Sequence, residues 1–171
     1  ALAHPASNTK EYQRDEGRRL YRRSLYVYLK RTSPHPMMTL FDAPDRETSC
    51  VRRSRTSTAL QSLALLNETQ RIEMARGLAQ KLMRQPGDDD SKLELLFQLL
   101  SSRTPSQAER SACLGLLRKI SNRYRVDGED ALAFLSAGEF ARDVSLDPAR
   151  HAAWTQVALT VLASDVAILL Y

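Results

Sequence analysis

The residues that most constrain this chain lie near its end. Asp147 and Pro148 have the chemistry of an N-cap and a first helical position, and Trp154, Val157, Ala158, Val161, Leu162, Ile168 and Leu169 follow with helical periodicity on one face. A helix this apolar must be covered by neighbours, so it is expected to be the longest helix and the central pillar of a core. The apolar stretch from Val157 to Tyr171 is interrupted by Thr160, Ser164 and Asp165, which makes it a buried helix rather than a membrane span. Six Gly and seven Pro are too few for the many turns of an all-β chain. With 171 residues, 43% hydrophobic and 26% charged, the chain is expected to form one globular domain rather than two.

Upstream of that helix the same periodicity recurs between clear breaks. Thr58 and Gln61 have the spacing of a capping box, and Leu60, Leu63, Ala64 and Leu66 continue the helix they open. Asn67 with Gln70 repeats the pattern, predicting a bend before a longer helix whose face is Ile72, Ala75, Leu78, Ala79, Leu82 and Met83. The QPGDDD run from Gln85 to Asp90 breaks the chain and places acids where a helix N-terminus favours them. Leu93, Leu96, Phe97 and Leu100 form the next stripe. Thr104, Pro105 and Gln107 predict a capped helix burying Ala112, Cys113, Leu116, Leu117, Ile120 and Tyr124. Gly128 precedes a short helix from Glu129 to Ala137 with Leu132 and Leu135 turned inward. The expectation is an all-α fold: a single helical domain of six or seven helices over residues 16–171, with 1–15 a linker or the tail of a preceding domain. It divides into a partly irregular Arg/Pro-rich motif segment, 21–67, and a helical remainder, 68–171.

The motif segment departs from this regular pattern. Leu20, Tyr21, Leu25, Tyr28 and Leu29 suit an amphipathic helix from Glu16, although Tyr26, Val27 and Tyr28 also suit a strand through 25–29. Pro34 and Pro36 end that element and predict an irregular crossing from Ser33 to Leu40, before the FDAPDR turn. Twelve Lys or Arg against six Asp or Glu lie between Lys10 and Arg55, a balance of +6, so of the total of +5 the remainder carries −1.

The run RRSLYVYLKRTSPHPMMTLFDAPDRETSCVRRSRTSTALQSLALLNE, Arg22 to Glu68, resembles the core motif of a planctomycete-specific domain of unknown function. That domain lies at the C-terminus of large secreted proteins that often also carry a cytochrome-c-like module. The resemblance weakens after Met83. Where the family has a Thr-Asn-Thr-Pro-Leu-Gln run, this chain has Ser57 and Ala59 in TSTALQSL, so a specific role for an Asn there does not carry over. The resemblance implies an extracytoplasmic location, preceding domains in the same polypeptide as partners, and haem c in an associated domain. It brings no catalytic residues. The N-terminal ALAHPASNTKEYQRDEG lacks the regions of a signal peptide and reads as a start in mid-protein.

The chain's own residues carry few catalytic patterns. It has no Cys-x-x-Cys-His for haem attachment, no Gly-rich phosphate loop and no G-x-S-x-G elbow. His4, His35 and His151 are isolated from one another, so neither a metal nor another cofactor is expected in this chain. Cys50 and Cys113 make no disulfide framework and read as two small buried thiols, with a bridge between them the alternative. Asp42 and Asp45 can be imagined as an acid and base pair, but acids in such turns serve the backbone or an arginine. Asp42 is expected to be partly buried and bonded to one of Arg22, Arg23, Arg46, Arg52 or Arg53. The guanidinium groups also match phosphate and carboxylate oxygens. Asp42, Asp45 and Glu47 lie among them, which favours internal ion pairing and disfavours nucleic acid.

The leading functional expectation is a non-enzymatic structural or docking module. Its candidate motif residues are Arg22, Arg23, Asp42, Asp45, Arg46, Arg52, Arg53 and Gln61. Met37, Met38, Leu40 and Phe41 are expected to leave an exposed apolar patch beside these arginines that would supply an interface, whereas burial of all four would make the stretch a folding element. One alternative is a ligand-binding or enzymatic domain with an Arg/Asp pocket, gathering Arg46, Arg52, Asp42 and Gln61 around a small anion or sugar. Another is nucleic-acid binding through the basic N-terminal third.

Overall fold

In the computed structural model, which describes residues 15–22, 26, 34–44 and 49–168, every regular element is helical. A 3-10 turn at Gly17–Tyr21 is followed by α1 (Pro36–Leu40), α2 (Ala59–Asn67), α3 (Thr69–Met83) and α4 (Asp89–Ser101). The remaining helices are α5 (Gln107–Val126), α6 (Gly128–Leu135), α7 (Pro148–Leu162) and α8 (Asp165–Ile168). The all-α expectation holds among the described residues, where α2 to α7 are the long helices. The chain divides into two compact units, Ala1–Ala64 and Leu65–Tyr171.

In the second unit α7 is the centre, packed against α3, α5 and α6. The Asp147 carboxylate accepts the Arg150 N–H at 2.8 Å, which with Pro148 at the first position starts the helix as its sequence requires. His151 to Thr155, Val157 to Leu159, Val161 and Leu162 are all buried, so the helix is covered nearly all round rather than on the single expected face. It is not the longest: α5 has 20 residues and α7 has 15. α7 stops at Leu162 because the Ser164 N–H and hydroxyl both turn back onto the Val161 carbonyl, and Asp165 opens α8. Ile168 therefore belongs to a separate element, and Leu169 lies outside the described residues.

The neighbours follow their stripes. Ala75, Ala79 and Leu82 of α3, Leu93, Leu96 and Phe97 of α4, and Leu117 and Tyr124 of α5 enter the core. Ala131 and Leu135 of α6 join them, whereas Leu132 is 43% exposed, contrary to expectation. Tyr124 stacks on Phe134 with ring centroids 6.4 Å apart. On the expected face of α5, Cys113, Leu116 and Ile120 are half-buried and Ala112 is exposed.

Helix starts are set by caps, some displaced from the predicted residue. α3 is capped by Glu68, whose carboxylate accepts the Arg71 N–H at 2.8 Å; Asn67 instead ends α2. α5 begins after Ser106, which shares a reciprocal capping box with Glu109, and the predicted Thr104–Gln107 pair lies two residues too early. Glu109 wins because it also holds Arg103 at 2.6 Å. Asp88 caps α4, and the first-turn acids Asp89 and Asp90 pair with Arg150 and Arg110.

Within the first unit, the amphipathic helix from Glu16 is represented only by the 3-10 turn at Gly17–Tyr21, after which Arg22 is extended. Its continuation, like the alternative strand, lies outside the described residues apart from Tyr26. The crossing expected to be irregular contains α1: Pro36 at its first turn needs no N–H partner, and the His35 ring accepts the Met37 N–H at 3.3 Å.

Candidate functional site

The motif's described residues form a hydrogen-bonded lock around the turn after α1. Asp42 adopts the left-handed conformation, φ 57°, which a short polar side chain tolerates better than most. Its carboxylate accepts both the N–H and the hydroxyl of Thr56, each at 2.8 Å. Those two bonds, followed by the nearby Arg53 charge, hold the carboxyl below its ordinary pKa. Arg53 bonds the backbone, donating to the Asp42 carbonyl at 2.8 Å and to the Phe41 carbonyl. Among the described residues the partner of the Asp42 carboxylate is thus Thr56 rather than Arg22, Arg52 or Arg53, while the candidates Arg23 and Arg46 lie outside them. The guanidinium finds the turn's outward carbonyls, and the nearer Thr56 donors fill the carboxylate oxygen.

Gln61 completes the lock from the first turn of α2. The predicted capping box with Thr58 is present: Thr58 N–H donates to Gln61 Oε1 at 3.0 Å, and Gln61 N–H donates to Thr58 Oγ1 at 3.2 Å. The Gln61 amide nitrogen also donates to the Leu40 carbonyl at 2.8 Å and to Thr56 Oγ1 at 2.9 Å. One buried carboxamide therefore caps α2 and ties it to the end of α1. Leu60 and Leu63, which share this helix, are exposed.

The remaining candidates are not drawn into the lock. Arg22 is exposed at the end of the 3-10 turn, while Arg23, Asp45 and Arg46 lie outside the described residues. Arg52, Arg53, Ser54 and Arg55 line a shallow cavity of about 330 Å³ that includes neither Asp42 nor Gln61. No hydrogen bond or ion pair joins Arg52 or Arg55 to a described residue. Met37, Met38, Leu40 and Phe41 are half-buried, and Val51 is fully exposed. Cys50 is an exposed thiol, correcting the expectation of burial; Cys113 is half-buried and its thiol is pushed up by desolvation. Among the described residues no group of three His, Cys, Asp or Glu could hold a metal ion, and no helix is long and apolar enough to cross a membrane.

A second polar assembly, in the other unit, escaped the sequence reading. Glu73, Arg76, Gln80 and Arg84 recur at spacings of three and four along α3 and clamp the loop after α6. The Glu73 carboxylate accepts the N–H groups of Glu139 and Phe140, both at 2.9 Å. Buried Arg76 donates to the carbonyls of Leu135, Ala137 and Phe140, capping the C-terminal end of α6. Gln80 accepts the Asp143 N–H at 3.1 Å, and Arg84 pairs with the Asp143 carboxylate at 2.6 Å. The sequence signal was the helical spacing of these four residues beside an apolar stripe. The family resemblance drew attention to Arg22–Glu68 instead.

One oxygen of the Asp42 carboxylate and the Gln61 amide are engaged by the chain itself, while the clamp directs Glu73 and Arg76 at backbone N–H and carbonyl groups. No curated protein and no solved structure matches the chain. Residues 2–117 match PSD1, described as a protein of unknown function (DUF1553), a span that holds the whole lock and the α3 half of the clamp. With more than half its length matched, the chain belongs to the PSD1 family of proteins of unknown function (DUF1553).

Proposed function

We propose that this chain is a non-enzymatic structural or docking module of a larger secreted protein, and that its outward arginines meet a preceding domain of the same polypeptide. The supporting observation is a division of labour within the motif. Asp42, through one oxygen, Thr56 and Gln61 bond one another and the backbone, whereas Arg52 and Arg55 stay exposed beside Val51. Groups held for chemistry keep a polar atom available to substrate; groups held for folding do not. The secreted setting, the planctomycete context and a haem-c-bearing module elsewhere in the polypeptide are supported by the family resemblance of Arg22–Glu68.

The test is the double variant Arg52→Glu, Arg55→Glu in the parent polypeptide. Its melting temperature as an isolated chain should match the wild type, because neither side chain bonds a described residue. Cross-links between this chain and the preceding domain should be lost. Unchanged cross-linking would overturn the docking reading. The counterpart is Gln61→Leu, which should lower the melting temperature even in isolation, since a buried cap and two cross-segment bonds disappear together.

The cavity lined by Arg52, Arg53, Ser54 and Arg55 favours a second reading, a site for a small anion, because guanidinium groups bind phosphate and carboxylate oxygens in bidentate fashion. Calorimetric titration with inorganic phosphate decides it: saturable heat in the wild type, lost in the double variant, supports an anion site, and absence of heat rules it out.

A further inference from the structure

His151 is completely buried at the inner side of the clamp. Its Nε2 lies 3.4 Å from the Arg76 carbonyl oxygen, and its Nδ1 is buried without a hydrogen-bond partner among the described residues. The charged groups acting on the ring are Arg76 from α3, and Arg142 and Asp143 from the loop between α6 and α7. On α7 itself the nearest charged residues are Asp147, occupied as the N-cap, and Arg150, paired with Asp89. No charged group of α4, α5, α6 or α8, the other helices packed on α7, is among those acting on the ring. Glu73, one turn before Arg76, is the other buried ionisable acid of the clamp, and its carboxylate holds two loop N–H groups.

We infer that His151 is an acid-sensitive latch, whose protonation releases the loop between Leu135 and Asp147 from α3. A proton on the closed ring would set a third cation beside Arg76 and Arg142. The one facing carboxylate, Asp143, is already committed to Arg84 and to Ser145. In a dry setting that charge has no compensation, and lifting the loop both hydrates the ring and removes Arg142. The carbonyls held by Arg76 and the N–H groups held by Glu73 belong to this loop, so the clamp's bonds break together.

Burial, the largest cause, holds the closed-state ring below the ordinary histidine value of 6.5; the Arg76 carbonyl opposes it, and the charges of Arg76 and Arg142 add to the lowering against a lesser effect of Asp143. The open form takes up a proton near 6.5 and the closed form does not. Closure is thus fully favoured above 6.5 and is lost as the pH falls through that value toward the depressed closed-state one. The carboxyls of Asp42, Asp88, Glu109 and Asp143 are all held low and do not titrate in this window.

The test is amide hydrogen exchange on the 171-residue chain between pH 7.5 and 5, corrected for intrinsic rates. The reporters are the amides of Glu139, Phe140 and Asp143, which the clamp holds, with Leu159 of α7 as the reference. Wild-type loop protection should fall by about tenfold per pH unit below 6.5 while Leu159 stays slower. His151→Gln keeps a donor of similar reach without a titrating charge, and its loop protection should be flat over the range. Wild-type protection independent of pH would overturn the latch. So would an equal fall in His151→Gln, which would assign the titration to a group other than His151. If that variant does not fold, ring-proton NMR of the wild type decides: His151 must stay neutral below 6.5 and titrate only in step with the loop signals. Titration at the ordinary midpoint with the loop unchanged would sink the proposal.

Discussion

Gly138→Ala tests the clamp where its geometry is tightest. Gly138 has φ +85°, a left-handed backbone that an alanine adopts at a cost of roughly 1 kcal/mol. A Cβ there would stand 2.7 Å from the Glu73 carboxyl carbon and 2.9 Å from the Glu73 Cβ. Swinging the end of the Glu73 side chain relieves only the first contact, because its Cβ is fixed to α3. The loop must therefore lift, giving up the Glu73 bonds to Glu139 and Phe140 and the Arg76 bonds to Ala137 and Phe140. Hydrogen bonds to charged groups contribute about 1.5 to 3 kcal/mol each, and partial rehydration of the lifted loop returns some of that. A total of about 3 to 5 kcal/mol is expected, in line with uncoupling a buried charge from its partners. In a unit of about a hundred residues this lowers the melting temperature by roughly 15 °C, readable by far-ultraviolet circular dichroism. Gly128→Ala is the control, since nothing lies within 4 Å of its added Cβ, and should melt within a few degrees of the wild type. A Gly138→Ala protein that also melts there would refute the close fit of loop to α3.

Three further outcomes follow from the helix ends and surfaces. Ser106→Ala should cost about 1 kcal/mol in urea denaturation while Thr104→Ala should be nearly neutral, because the capping box of α5 uses Ser106; the reverse order would restore Thr104 as the cap. Glu109, held to about 2 by hydrogen bonds from Arg103 and from the Ser106 N–H, contributes stability fully present above its ordinary 4.5 and lost as the pH falls toward 2. The difference in urea midpoint between wild type and Glu109→Gln should therefore be largest at pH 7 and close below pH 4, and a gap independent of pH would contradict it. Gly115→Ala, inside α5 with open space around the new methyl group, should stabilise by about 0.5 to 1 kcal/mol; a loss of stability would show that a neighbour occupies that space.

The all-α class and most helix positions were legible in the sequence because they depend on local rules. The Thr58–Gln61 box, the acids opening α4 and the Asp147-Pro148 start involve residues a few positions apart, and the apolar stripes of α3, α4 and α7 need only a period. Caps were misplaced where two candidates competed nearby: Glu68 over Asn67 and Ser106 over Thr104. The Ser106 cap was decided by Arg103 reaching Glu109, a side-chain contact that propensity does not encode. The motif was legible as a polar stretch with a turn, but the pairing within it was not. Thr56 rather than an arginine meets the Asp42 carboxylate because the chain's return path places its N–H and hydroxyl together on one oxygen. The clamp was decided entirely by tertiary structure. Along α3, Glu73 and Arg76 look like ordinary charges beside an apolar stripe, and what buries them is a loop 59 to 67 positions further along the chain. Local sequence carries the period that points them to one side. Only the packing of α6 and α7 on α3 removes that side from water, and with it the solvent that would otherwise satisfy a buried glutamate, a buried arginine and a neutral histidine.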